Sequence, residues 1–281
     1  MTQPTAAFNR YKTGNALVTL LSDGHLDASF DLLCGIDSAQ AEALLAQSGV
    51  AAIPRININA YVIQTPDRTI LVDSGMGGAN GGGQLPTALA AAGIAPSEID
   101  TLLLTHAHRD HIGGLIGPSG TPLLPNVQQV FLHEKELAFW QSEAAYASAN
   151  DKMRANFTLA RNVFSAYEDR LVPFGQEAIL PGIQAVPLFG HTPGHCGYLL
   201  GDGHDALLIW GDIVHFPHIQ VAQPEVTVVF DNDAAEAARA RKRVLERAVS
   251  DRLTVSGMHF NLPATGTVRR AGKGFALDYG F

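Results

Sequence analysis

Short apolar runs alternate along the chain with amphipathic stretches, and the two periods predict different elements. Residues 16–21 (ALVTLL) read as a strand closed by a turn at Ser22-Asp23-Gly24. Asp37 stands where it can cap a helix over Ser38–Gln47, with Ala41, Leu44 and Leu45 along one side and Gly49 after its end. Residues 58–64 and Thr69–Val72 are β-rich runs separated by Thr65-Pro66-Asp67-Arg68, the composition of a hairpin turn. Residues 101–105 (TLLLT) have the short apolar centre of a buried strand, which ends directly at His106. Helical periods occupy residues 134–142, Asp151–Ala166 and residues 233–249; strand patterns return at 184–188, 197–200, 206–210, 227–230 and 253–256. Strands and helices succeeding one another without a composition break predict an α/β sandwich, one domain over residues 1–281, with helices outside sheets. The glycine-rich run 75–83 (GMGGANGGG) lacks a following Gly-Lys-Ser/Thr, so it reads as a mobile loop rather than a phosphate cradle.

Composition narrows the classes of function. Hydrophobic residues make up 46% of the chain and charged residues 16%, which excludes intrinsic disorder. Nineteen Lys+Arg against 27 Asp+Glu give a net charge of −8, a poor basis for sequence-independent nucleic-acid binding. Cys34 and Cys196 cannot build a disulfide framework, and no uninterrupted apolar stretch has the length of a membrane span. The amino terminus also lacks an apolar core of signal-peptide length. The expectation is a cytoplasmic protein with neither a nucleic-acid nor a membrane partner.

Eleven histidines change that plain picture. In Thr105-His106-Ala107-His108-Arg109-Asp110-His111-Ile112-Gly113-Gly114, four ligand-type side chains fall within six residues, directly after a predicted buried strand. Neutral imidazoles and a carboxylate suit zinc, iron, cobalt or manganese. Three further segments end strands in the same way: GHTPGH with His191 and His195, Trp210-Gly211-Asp212, and Gly257-Met258-His259. Layered folds build their sites at that edge.

This set resembles the metallo-β-lactamase superfamily, specifically its dinuclear hydrolase branch. The match extends through Leu71-Val72-Asp73-Ser74-Gly75, THAHRDHIGG, GHTPGH, Trp210-Gly211-Asp212, Phe230-Asp231-Asn232-Asp233 and Arg270-Ala271-Gly272-Lys273-Gly274. The last two segments make it most similar to the methyl parathion hydrolase and lactonase group. The resemblance implies an αββα sandwich holding two divalent ions per chain, zinc first and iron, cobalt or manganese as alternatives. By motif, His106, His108 and His191 would hold one ion; Asp110, His111 and His259 the other; Asp212 would bridge. Asp73 and His195 would orient ligands rather than bind metal. Asp110, Asp212 and His215 are the expected catalytic residues, and a homodimer is expected from the family.

Two such ions roughly 3.5–4 Å apart can share a hydroxide and generate a nucleophile at neutral pH. Ester, lactone, thioester and phosphotriester hydrolysis all suit that centre. β-Lactam hydrolysis fits poorly, because lactamases lack a His111-type ligand together with a bridging carboxylate. Only 22 residues follow His259, too few for the helical domain of a glyoxalase II-like thioesterase. Acyl-homoserine lactonases commonly carry a tyrosine three residues beyond the bridging aspartate; here that residue is His215. The expected substrate is therefore a small neutral organophosphate triester, lactone or aryl ester, with acyl-homoserine lactone as the alternative and a thioesterase or a non-catalytic metal-binding protein behind it. Phe131, Trp140, Phe216, Phe260 and Leu262 are candidates to line an apolar pocket, against the plainer reading of core packing.

Overall fold

A computed structural model describes residues 8–49, 55–79, 81–175, 178–261 and 264–279. The strands are β1 (Phe8–Thr13), β2 (Ala16–Asp27), β3 (Leu33–Cys34), β4 (Arg55–Gln64), β5 (Thr69–Val72), β6 (Thr101–Leu103), β7 (Gln129–His133) and β8 (Leu171–Phe174). They continue with β9 (Ala178–Leu180), β10 (Ile183–Pro187), β11 (Cys196–Leu200), β12 (Leu207–Ile209), β13 (Thr227–Val228), β14 (Thr254–Ser256), β15 (Thr265–Ala271) and β16 (Gly274–Tyr279). The helices are α1 (Ser38–Gln47), α2 (Leu85–Ala92), α3 (Arg109–Ile112), α4 (Glu134–Gln141), α5 (Glu143–Ser148), α6 (Asp151–Ala166), α7 (Pro217–Gln220) and α8 (Ala234–Ser250).

Two sheets form, in the orders β1-β2-β4-β5-β6-β7-β8 and β16-β15-β14-β12-β11-β10-β9. The short pair β3–β13 stands apart from both. Side-chain alternation explains why the central strands are apolar without interruption. In β4, Tyr61 and Ile63 enter the core between the sheets, while Ala60 and Val62 meet the helices outside. In β5, Ile70 and Val72 face inward and Leu71 outward; in β6, Leu103 faces inward and Leu102 outward. A strand covered on both faces needs apolar residues at every position. Outside the first sheet pack Leu85 and Leu89 of α2, Trp140 of α4 and Phe157 and Val163 of α6. On the second sheet pack Ala240, Val244 and Leu245 of α8. The result is the αββα layering expected from the motifs.

Local signals account for most of the element boundaries. Asp37 caps α1 in a reciprocal box with Gln40, and the Thr65 amide closes the β4–β5 turn on the Arg68 carbonyl at 2.9 Å. Among the described residues no helix is long and apolar enough to cross a membrane.

The structure departs from the sequence reading at Ser22-Asp23-Gly24, which is not a turn. The strand runs on to Asp27, and its register against β4 shifts between Ser22 and Gly24. The extra residue of this bulge is Asp23, which is fully buried. Its carboxylate accepts the backbone N–H groups of Met76, Gly83 and Leu85, each at 2.8 Å. The described part of the glycine-rich run is thus wrapped around a buried carboxylate: two tethers, to Met76 and Gly83, replace the free loop expected there, and the third holds the start of α2 at Leu85. Strands β1, β15 and β16 also escaped the pattern. Each carries polar residues through half-exposed positions, and β15 and β16 pair around Gly272-Lys273, which gives the Arg270–Gly274 segment its tight turn.

Replacing Asp23 by Ala would leave three backbone donors, two of them buried, without their acceptor. Asp23→Ala is expected to lower unfolding stability by about 3 kcal/mol, read as a fall in the urea midpoint at unchanged slope.

Candidate metal centre

Every candidate ligand leaves the end of a strand. The chain passes from β6 through His106 and His108 into the single turn of α3, which carries Asp110 and His111. His191 lies in the β10–β11 connection, Asp212 in a 3-10 turn after β12, and His259 just after β14. Two sheets therefore contribute to one cluster, and all these side chains except Asp110 are almost wholly buried.

The atoms fall into two groups that share one carboxylate. His106 Nε2 lies 2.9 Å from His108 Nδ1, which lies 3.0 Å from His191 Nε2. Asp110 Oδ2 lies 3.5 Å from His111 Nε2 and 3.9 Å from His259 Nε2. Asp212 Oδ2 stands between the groups, 2.9 Å from His259, 3.1 Å from His111, 3.5 Å from His191 and 3.7 Å from His106. Its other oxygen, Oδ1, is buried with no hydrogen-bond partner.

The rings are held so that lone pairs point inward. His111 Nδ1 lies 2.7 Å from Asp73 Oδ2, His191 Nδ1 2.9 Å from Asp231 Oδ1, and His259 Nδ1 2.6 Å from the Asn57 carbonyl. A proton on each Nδ1 satisfies these acceptors and leaves Nε2 basic. Thr105 Oγ1 donates to Asp73 Oδ2 at 2.6 Å and so can accept from His106 Nδ1 at 3.1 Å. Asp73 adopts a left-handed backbone (φ 57°), unusual for a residue with a side chain. Its carboxylate is gripped by the Thr105 amide and hydroxyl as well as by His111.

Imidazole nitrogens packed this closely in a dry pocket repel protons from one another. Burial, reinforced by neighbouring histidines, lowers His106 and His108 well below the ordinary imidazole pKa. Burial also opposes charge on His111, but Asp212, Asp110 and Asp73 overcome it and raise its pKa well above the ordinary value. Asp212 itself is penalised by burial, yet His111, His259 and His215 hold it far below the carboxylate range. Converging lone pairs, an unpartnered buried carboxylate oxygen and a local preference for positive charge fit two cations sharing Asp212.

His195 does not face this centre with a free nitrogen. Its Nδ1 is 2.9 Å from the Leu188 carbonyl, and its Nε2 accepts the Asp212 backbone N–H at 2.8 Å. Burial pushes its pKa down to about 3, consistent with a ring that stays neutral to keep both bonds. A Cβ on Gly211 would overlap His195 Nε2, and Gly211 has φ 58°, so this turn requires glycine.

His215 is only 2% exposed, which excludes a solvent-facing loop position. Its Nε2 is 3.2 Å from Asp212 Oδ2, its ring stacks on His259 at 4.8 Å, and Phe230 stands 5.0 Å away edge-on. Gln220 Oε1 receives the His215 backbone N–H at 2.6 Å, while His215 Nδ1 is buried with no partner.

Phe131, Phe216 and Phe260 belong to the hydrophobic core, and Trp140 packs in the helical layer in a T-shaped contact with His108, ring centres 5.6 Å apart. Leu262 lies outside the described residues.

Two contributors went unread in the sequence. Asp231, which the sequence shows only as part of the Phe230–Asp233 motif, orients His191. Glu136 is a fully buried carboxylate that touches both histidine-bearing loops. Its signal was present: an acid one turn before Trp140 on the same helix face.

Comparison with known proteins agrees with this geometry. The family described as the metallo-beta-lactamase superfamily matches residues 53–259. The chain belongs to that superfamily. The probable metallo-hydrolase YybB of Bacillus subtilis (strain 168) is 28% identical over 159 residues, covering 57% of this chain and 63% of that protein. The match thus spans less than two thirds of that relative. Among solved structures, the hydrolase AbOPH of the beta lactamase superfamily is 26% identical with a TM-score of 0.89, covering 99% of both chains. The dizinc quorum-quenching lactonase AidC, in complex with a product, superposes with a TM-score of 0.90 at 23% identity, covering 98% of both chains. Its likeness extends to the superfamily fold.

Asp212→Asn should reduce bound metal and turnover far more than His195→Gln, because an amide is a poor shared ligand and His195 acts only by holding the Asp212 backbone. Changes to orienting groups typically cost about 10–100-fold in metal affinity or activity. Metal analysis of both purified variants checks this; metal lost from His195→Gln and retained by Asp212→Asn would reverse the assignment.

Proposed function

We propose that the protein is a dinuclear metal-dependent hydrolase of small neutral esters, acting on lactones, aryl esters or organophosphate triesters in the manner of the methyl parathion hydrolase and lactonase group. The observation that carries this reading is Asp212 Oδ2, placed 2.9–3.7 Å from the Nε2 atoms of His106, His111, His191, His215 and His259. His106, His108 and His191 would hold one ion, Asp110, His111 and His259 the other, and Asp212 would bind both. Divalent ions so held, zinc first, supply Lewis-acid polarisation of a carbonyl or phosphoryl oxygen and acidify water.

The chain's own groups do the rest. Asp73, Asp231 and the Asn57 carbonyl fix ring orientation, so little rearrangement is needed when charge develops on the substrate. Asp110, the more exposed carboxylate of the centre at 20%, stands where it can accept a hydrogen bond from an attacking water and orient it. His215 Nδ1, buried and unpartnered, is suited to hydrogen-bond a substrate group. Burial pushes the pKa of His215 down to about 4, so the ring is a neutral donor and acceptor at pH 7. Phe230 beside it offers an apolar ring to an acyl or aryl substituent. The similarity to AbOPH supports the hydrolase reading, and the lactonase activity of AidC is the model for the alternative, an acyl-homoserine lactonase.

Metal analysis should find two ions per chain in an active preparation, with hydrolysis of at least one among a p-nitrophenyl ester, an aryl lactone, an acyl-homoserine lactone and an aryl phosphotriester. Full activity with a single ion would sink the dinuclear reading; no turnover across the panel would sink the hydrolase reading.

His215→Tyr should raise the ratio of lactone to phosphotriester kcat/KM at unchanged metal content. An apolar replacement of His215 should move preference toward bulky neutral aryl substrates. Unchanged ratios in both variants would remove His215 from substrate contact, and loss of an ion would make it a ligand.

A further inference from the structure

Glu136 lies on α4, outside every candidate ligand group, yet it is 0% exposed. Its Oε1 accepts the Ala107 backbone N–H at 3.0 Å and the Trp140 indole N–H at 2.6 Å. Its Oε2 accepts the Thr192 hydroxyl at 2.6 Å and the Gly194 backbone N–H at 3.0 Å. Ala107 separates His106 from His108, while Thr192 and Gly194 directly follow His191. One carboxylate therefore ties together the two loops that deliver the three-imidazole group. Trp140, fixed by the same carboxylate, places its edge against the His108 ring. The start of α4 presses so closely on Gly194 that a Cβ there would overlap the Glu136 backbone.

The second group is held by other contacts. Its rings are oriented by Asp73 and the Asn57 carbonyl, and Asp110 comes from α3. The two groups also differ in charge. The three-imidazole group has no carboxylate of its own apart from its share of Asp212, whereas the other has Asp110 as well. Asp231 on His191 Nδ1 already stands behind this group, and Glu136 adds a second buried carboxylate; burial raises its pKa, but its four donors favour the ionised form, and a negative charge in a low-dielectric interior favours a cation nearby.

We propose that Glu136 is a positioning residue specific to one half of the centre: it sets the spacing of His106, His108 and His191 and selectively strengthens cation binding there. This rests on the dinuclear reading above and deepens it. A carboxylate serving only to hold the fold would, on removal, lower stability without changing the relative affinities of the two positions.

The test compares Glu136→Gln with the wild-type protein, each as the full chain. Glutamine keeps the shape but turns an NH2 group toward one pair of donors. Stepwise zinc affinities would be measured by competition with a chromogenic chelator, and anomalous diffraction at limiting zinc would show which position fills. Glu136→Gln is expected to weaken the His106/His108/His191 position at least tenfold while the Asp110/His111/His259 position keeps its affinity. Thr192→Val, which removes one donor and retains the loop, should reproduce the first pattern with a smaller loss, and it carries the test if Glu136→Gln does not fold. Equal weakening of both positions in the Glu136 and Thr192 variants, or unchanged affinities with only a lower melting temperature, would overturn the proposal. Wild-type protein binding two ions while these variants keep the wild-type ratio separates this failure from failure of the dinuclear reading itself.

Discussion

The structure is organised around electron pairs forced to face one another. Asp212 places one oxygen among five imidazoles, and three ring nitrogens meet at hydrogen-bond distance where protons cannot satisfy them all. Such an arrangement is unfavourable in a pocket closed to water and relaxes unless its supports are stiff. Two sheets buried on both faces provide that stiffness. Each delivers its ligands from strand ends, where the backbone leaves the hydrogen-bonded ladder but has not yet gained freedom.

The supports have their own local costs, and these are concentrated at the same edge. Asp73 takes a left-handed conformation, Gly211 has no room for a side chain, and His195 spends both nitrogens on backbone groups. Strain of this kind persists only where surrounding contacts over-determine it. Asp73 shows how: its two oxygens are claimed by the Thr105 amide, the Thr105 hydroxyl and His111.

What could be read from the sequence follows from how far each signal travels along the chain. Central strands such as β5 and long helices such as α6 declare themselves through local periodicity, and the ligand motifs through spacing within a few residues. Asp23 was misread because a bulge and a turn use the same residues; only the distant partners Met76, Gly83 and Leu85 distinguish them. Glu136 and Asp231 were missed for a related reason. Their partners lie in other elements, at Ala107, Gly194 and His191, so their roles exist only after the layers have docked. His215 was located beside Asp212 by spacing, but its burial and its stacking on His259 required the fold.

The short stretch from His106 to His111 is divided in the folded chain. Its first two histidines turn toward His191, and its last two ligand-type residues, carried round by one turn of α3, toward His259. In the fold, a deletion or insertion of one residue within it would shift both halves of the centre out of register at once. No neighbouring loop could compensate, since the partners on either side come from a different sheet. The length of this segment is thus fixed twice over, and of its six residues only Ala107 and Arg109 keep their side chains outside the ligand groups.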